Sequence, residues 1–187
     1  FVKKSADNGV DVFRVFDAMN DIRNIEASIK SVKKYNKYAE GTISYTTSPV
    51  HNIEYFLDLA KKIEALGCDS IAIKDMAGLL TPGTTRELVA ALVSSINIPI
   101  HIHSHSTAGL ASLNLIAAVE SGATMIDTCN SSFSEGASHP TTESIIVALE
   151  GMGYKTDIDV SKMDEVSQYL KEIRKKYWQF ESEFTGL

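Results

Sequence analysis

Three of the five histidines fall within five residues, as His101, His103 and His105. Alternation along a strand places all three on one face. A His-x-His pair on a strand can hold one divalent cation, because each imidazole offers a nitrogen lone pair to the same point. Hydrogen-bonded core histidines would show the same spacing, and spacing alone does not say which two would bind. The second reactive candidate is Lys74, which sits near the end of SIAIKD. Burial disfavours its charge and leaves a nucleophilic amine. Three fates are open to it: a Schiff base with a carbonyl substrate, a carbamate formed with carbon dioxide that ligates a metal, or an ion pair with Asp75 or Asp17.

Acids stand near both groups. Asp17 closes VFRVFD, and Asp127 lies in TMIDTC. Asp17 is placed either to reach the surroundings of a metal or to orient Lys74. Asp127 reads equally as a buttress for a ligand or as a structural acid. Asp21 reads as a helix cap. Arg14, on the other strand face from Asp17, reads as a structural ion-pair partner. Cys68 and Cys129 have no partner near them in sequence and read as small buried residues. The loop SSFSEGASHP, which ends on Ser138-His139-Pro140, is placed to cover the site.

The elements that must carry these residues recur. Strand-like runs rich in Val, Ile, Phe and Tyr occupy 10–17, 41–47, 70–75, 98–105 and 124–129. A helix-like stretch follows each one. Ile22, Ile25, Ile29 and Val32 form one apolar stripe, and Ile53, Phe56, Ala60 and Ile63 another. Thr84 and Glu87 have capping-box spacing at the start of the third helix. The strand ends lie roughly 20–30 residues apart, a βα period. Alternating βα units give an α/β fold with a parallel sheet and right-handed crossovers. An open doubly wound sheet and a (β/α)8 barrel both satisfy that pattern. No Gly-rich dinucleotide loop follows any strand, which favours the barrel. The expected fold is therefore the C-terminal five βα units of a (β/α)8 barrel, whose full form takes about 250 residues. Its strand ends gather Asp17, Lys74, Asp75, His103, His105 and Asp127, and charges closing apolar strands are expensive unless paired or bound.

The opening FVKKSADNG reads as a helix stopped at Asn8-Gly9, so the chain is expected to begin inside a larger fold. Residues 163–184 read as an amphipathic helix with Val166, Tyr169, Leu170, Ile173 and Tyr177 on its apolar face and Arg174, Lys175 and Lys176 in solvent. The expected organisation is a partial barrel over 1–157, strands four to eight, and a helical extension over 158–187.

Composition narrows the partners. The 187 residues carry a formal charge of −6, with 44% hydrophobic and 22% charged residues. That suits a folded domain and offers no basic excess for nucleic acid or an anionic membrane. Two cysteines build no disulfide framework, which fits a reducing cytoplasm.

The segments FRVFDAMND (13–21), SYTTSPVH (44–51), IKDMAGLLTP (73–82), IHIHSHSTAGLA (100–111) and SHPTTES (138–144) together resemble the biotin-dependent carboxyltransferase domain. That domain occurs in the oxaloacetate decarboxylase alpha subunit, in one of the subunits of two-subunit pyruvate carboxylases and in transcarboxylase. The resemblance implies metal-dependent carboxyl transfer between biotin and a 2-keto acid, oxaloacetate or pyruvate. It implies zinc, manganese or cobalt held by His103 and His105. It also implies a carboxylated Lys74 near or on the metal, with Asp17 beside it. Biotin would arrive on a separate carrier domain. In the family an Asp ligand on the first strand, an Arg on the third and a proton-shuttling Thr complete the centre; none matches here. The expected partners are therefore the biotinyl carrier, the missing N-terminal part of the barrel and further copies in a homo-oligomer or larger complex. Location is expected in the cytoplasm, or at the periphery of a membrane decarboxylase. A Schiff-base aldolase, a metal-dependent aldolase and a catalytically silent piece remain open as alternatives.

Overall fold

The structure, a computed structural model, describes residues 1–181. A short helix, α1 (Val2–Asp7), leads into five strands: β1 (Val12–Val15), β2 (Tyr38–Ser44), β3 (Ser70–Asp75), β4 (Ile100–Ser104) and β5 (Met125–Ile126). Between and after them run α2 (Ile22–Lys34), α3 (Ile53–Ala65), α4 (Pro82–Ser95), α5 (Ala111–Glu120) and α6 (Thr142–Gly151). The chain continues into α7 (Met163–Lys176).

All five strands are parallel and lie in the order β1-β2-β3-β4-β5. A doubly wound sheet reverses its order at a switch point, where helices change face. Here no reversal occurs, so every crossover winds the same way. The sheet is an arc of a barrel: one face carries the helices and the other faces the lumen.

Residue alternation explains which face is which. Ala39, Ile43, Ile71, Ile73, Ile100 and Ile102 are buried. They meet the helix stripes Ile25, Ile29 and Val32 of α2, Phe56 and Ile63 of α3, and Leu88, Val89 and Leu92 of α4. Gly41 lies among them because a Cβ there would collide with Ile63 and Cys68. The opposite positions carry Arg14, Glu40, Thr42, Ser70, Lys74, His101 and His103, so the lumen face is polar.

Local expectations are met at several ends. Asp21 caps α2 by accepting from the backbone N–H of Arg23. Cys68 is buried, and burial pushes its thiol up to about 11. Several expectations need correction, among them the first two strands, expected at 10–17 and 41–47 and found at Val12–Val15 and Tyr38–Ser44. The cap of α4 is Thr81, not Thr84: each Thr hydroxyl serves the other's backbone, and Pro82 starts the helix. β5 is two residues long, because beyond Ile126 the backbone pairs with the segment before α6, Cys129 N–H on Pro140 O and Thr142 N–H on Cys129 O. The last helix ends at Lys176 and gives way to a 3-10 turn over Trp178–Phe180, while residues 182–184 lie outside the described residues.

α7 also packs differently from its pattern. Val166, Tyr169 and Tyr177 of the expected apolar face are exposed, and the helix buries Ser167 instead. That hydroxyl accepts from Asn130 and donates to Glu143. Arg174 is not free in solvent: it donates to Ser132 O and to the Glu181 carboxylate. Among the described residues no helix is long and apolar enough to cross a membrane.

Candidate metal centre

The centre grows from the C-terminal end of β4. Lys74 on β3 lies in register with Ser44 on one side and His103 on the other. Asp127 follows β5 and donates its backbone N–H to Ile102 O, which sets its side chain beside His103. His105 keeps an extended backbone, φ −84° and ψ 149°, so the histidine alternation runs past the end of β4.

His101 and His103 take different roles. His101 sits lower in the lumen, with Nδ1 2.8 Å from Glu40 Oε2 and Nε2 2.9 Å from Asp127 Oδ1. Carboxylate oxygens only accept, so both ring nitrogens carry hydrogens and the ring is an imidazolium. Burial opposes that charge, but Asp127 and Glu40 outweigh it and push the pKa up to about 9. Arg14 reinforces the group, with Nε 2.5 Å from Glu40 Oε1 and Nη1 2.5 Å from Asp127 Oδ2. Burial works against ionised Asp127 too, yet His101, His103 and Arg14 hold its carboxyl far below the usual range. Two cations and two carboxylates therefore form a neutral cluster, with Glu40 and His101 buried and Arg14 and Asp127 half-buried.

That cluster fixes His103. Its Nδ1 is 2.6 Å from Asp127 Oδ2 and donates to it, which turns the bare Nε2 outward. His105 donates its Nδ1 hydrogen to Ala137 O at 2.7 Å. The two Nε2 atoms then stand 3.2 Å apart with lone pairs facing. Two neutral imidazoles so placed are stabilised by sharing a cation, whether a proton or a metal ion, and the donor set fits a divalent metal ion.

A third imidazole belongs to the same group. His139 donates from Nδ1 to Ser104 O at 2.9 Å, and its ring centroid is 4.3 Å from that of His103 and 4.6 Å from that of His105. The ligand nitrogens of His103, His105 and His139 lie within 4.8 Å of one another. Burial and the two neighbouring imidazoles hold the His139 pKa below its usual value. Sequence reasoning sets the His139 loop over the site but gives this side chain no role. The signal available is a histidine before a proline in a Ser-rich loop after the last strand.

Lys74 Nζ lies 4.0 Å from the centre of the Phe16 ring and makes no ion pair with Asp17 or Asp75 among the described residues. Burial, then the Arg14 charge, lower its pKa. Asp75 faces the helices, fully buried, where it accepts from the backbone N–H groups of Leu79 and Leu80. Asp17 is spent on its own turn: it accepts from Met19 N–H, Asp21 N–H and the Asn24 side chain. The structure thus brings His103, His105 and Asp127 together, keeps Lys74 one strand away, and sets Asp17 and Asp75 to hold turns.

Comparison with known proteins identifies the family. The HMGL-like family matches residues 12–170. The chain is 50% identical over 177 residues to a pyruvate carboxylase subunit of Methanocaldococcus jannaschii, covering 95% of this chain and 31% of that protein. It is 46% identical over 184 residues to the methylmalonyl-CoA carboxyltransferase 5S subunit of Propionibacterium freudenreichii, covering 97% of this chain and 36% of that subunit. The carboxyl transferase domain of Rhizobium etli pyruvate carboxylase, solved with pyruvate and biocytin, superposes with a TM-score of 0.94 at 35% identity, over 99% of this chain and 32% of that one. The chain therefore spans about a third of the length of these relatives.

Proposed function

Because this chain belongs to the HMGL-like family, we propose that it supplies the metal-binding part of a biotin-dependent carboxyltransferase centre, moving a carboxyl group between biotin and a 2-keto acid such as pyruvate or oxaloacetate. The observation that carries this reading is the facing Nε2 pair of His103 and His105, 3.2 Å apart, with each Nδ1 committed elsewhere. The relatives add support. Two are a pyruvate carboxylase subunit and a carboxyltransferase subunit, and the Rhizobium etli domain was solved with a keto acid and biocytin.

His103 and His105 would hold the ion; imidazole donors suit zinc and cobalt, and manganese fits where oxygen donors join them. A divalent cation there supplies Lewis-acid polarisation of a carbonyl oxygen. Asp127 holds His103 in the tautomer that leaves Nε2 free, and the Arg14–Glu40–His101 cluster holds Asp127. The depressed pKa of Lys74 favours its neutral amine. That amine can add to carbon dioxide and release one proton, giving a carbamate. Its register beside His103 would make the carbamate an anionic donor next to the imidazoles. Asp17 acts as a positioning residue, holding the turn between β1 and α2 through the amides of Met19 and Asp21. Biotin would be delivered on a carrier domain, and groups binding the keto acid would come from other strands of the barrel.

The test is oxaloacetate decarboxylation by the intact protein with and without free biotin. Free biotin should accelerate loss of oxaloacetate, and removal of metal by a chelator should abolish the gain until zinc, manganese or cobalt is restored. A pyruvate adduct trapped on Lys74 by borohydride, with no effect of biotin, would overturn the reading in favour of a Schiff-base aldolase.

A further inference from the structure

Building on the metal reading above, we propose that His139 is a third metal ligand, so that three imidazoles, two from the end of β4 and one from the loop before α6, meet at one cation. The case rests on how the loop is built. Glu135 N–H donates to His139 O at 2.8 Å, and Ser138 N–H donates to Glu135 O at 2.9 Å. The Glu135 carboxylate accepts from the backbone and hydroxyl of Thr141. Glu135 and Gly136 both adopt positive φ, 66° and 58°, which folds the loop back on itself. Ser106 N–H then donates to Ser138 O at 2.8 Å, tying the loop to the end of β4. Each of these bonds fixes the backbone beside His139 before any ion binds.

The ring is fixed as well. Its Nδ1 hydrogen is used by Ser104 O, so the free lone pair is Nε2, as in His103 and His105. Three neutral imidazoles with their opposite nitrogens held by oxygen acceptors make the arrangement found around borderline cations. Such a set selects zinc or cobalt over magnesium or calcium, which prefer oxygen donors. It leaves coordination positions open for an anionic donor such as a carboxylated Lys74 and for a carbonyl oxygen.

Two measurements test this on the intact protein. The first is a crystal grown with zinc and examined by anomalous scattering at the zinc edge. One peak about 2.1 Å from Nε2 of all three histidines is expected. A peak on His103 and His105 alone, with His139 Nε2 beyond about 3 Å, overturns the proposal and leaves the two-histidine reading standing. The second is zinc affinity, read by competition with a chromophoric chelator, for wild type, His139→Gln and His103→Ala. His139→Gln should weaken zinc by more than about tenfold with unchanged circular dichroism, and His103→Ala should weaken it at least as much. Wild-type affinity in folded His139→Gln overturns the proposal. Absence of zinc from the wild type overturns the metal reading itself. If His139→Gln fails to fold, the anomalous map on wild-type protein decides.

Discussion

His103 Nδ1 and Asp127 Oδ2 lie 2.6 Å apart, and this one bond decides which nitrogen of His103 faces the centre. Asp127 is the hub: it also binds His101 and Arg14, so its removal releases the ligand and unbalances the buried charges at once. Asp127→Asn should weaken metal binding about 10–100-fold, the range for a lost carboxylate–histidine contact. Asp127→Ala should also destabilise the fold by about 3 kcal/mol, because Arg14 and His101 lose their shared anion. Metal titration with urea denaturation checks both. Unchanged affinity in a folded Asp127→Asn would show that His103 needs no such support.

Stability should depend on pH through His101. Its folded pKa stands at about 9 against an ordinary value near 6.5, the charge being held by Glu40 and Asp127 beside Arg14. A raised pKa means that the folded state binds the proton more tightly. This contribution is therefore fully present below about pH 6.5 and is lost as pH rises through about 9. The urea midpoint of metal-free protein should fall across that window, and His101→Gln should flatten the fall. A wild-type profile as flat as the variant's would contradict the imidazolium assignment.

Lys74 can be separated from the imidazoles. Lys74→Gln removes the amine but leaves His103, His105 and Asp127 in place. Metal should still bind, while carboxyl transfer should fall by at least about 100-fold. Carbon-13 NMR of wild type in labelled bicarbonate should show a carbamate signal that the variant lacks. A variant that retains full transfer would remove Lys74 from the chemistry.

The sheet tolerates no side chain at Gly41. A Cβ there meets Ile63 and Cys68, so Gly41→Val must push α3 from the sheet. Overpacking of this kind costs about 1–3 kcal/mol, to be read as a lowered denaturation midpoint. An unchanged midpoint would mean that α3 is less tightly seated than the structure has it.

Much of the fold is readable from residue types. Alternation in Ile71, Ile73, Ile100 and Ile102 announces the helix-facing side of the sheet, and the same alternation puts His101, His103 and His105 together. What spacing cannot separate is their roles. His101 becomes an imidazolium because Glu40 and Asp127, far away in sequence, close on both its nitrogens. His139 escapes for the same reason, since its place depends on Ser106 meeting Ser138 across the fold. Asp17 reads as a site residue because it closes the strand-like run 10–17, yet β1 stops at Val15 and the Asp17 carboxylate is taken up by the amides of its own turn. The end of α7 is not legible because helical periodicity continues through Tyr177, whereas the Arg174–Glu181 ion pair accompanies a change of direction.

The most direct test of the central claim is isotope exchange in the intact protein. Labelled pyruvate should enter oxaloacetate only when the biotinyl carrier is present, and exchange should vanish in a folded His103→Ala, His105→Ala double variant. Exchange that survives loss of both histidines, or that proceeds without biotin, would contradict the account.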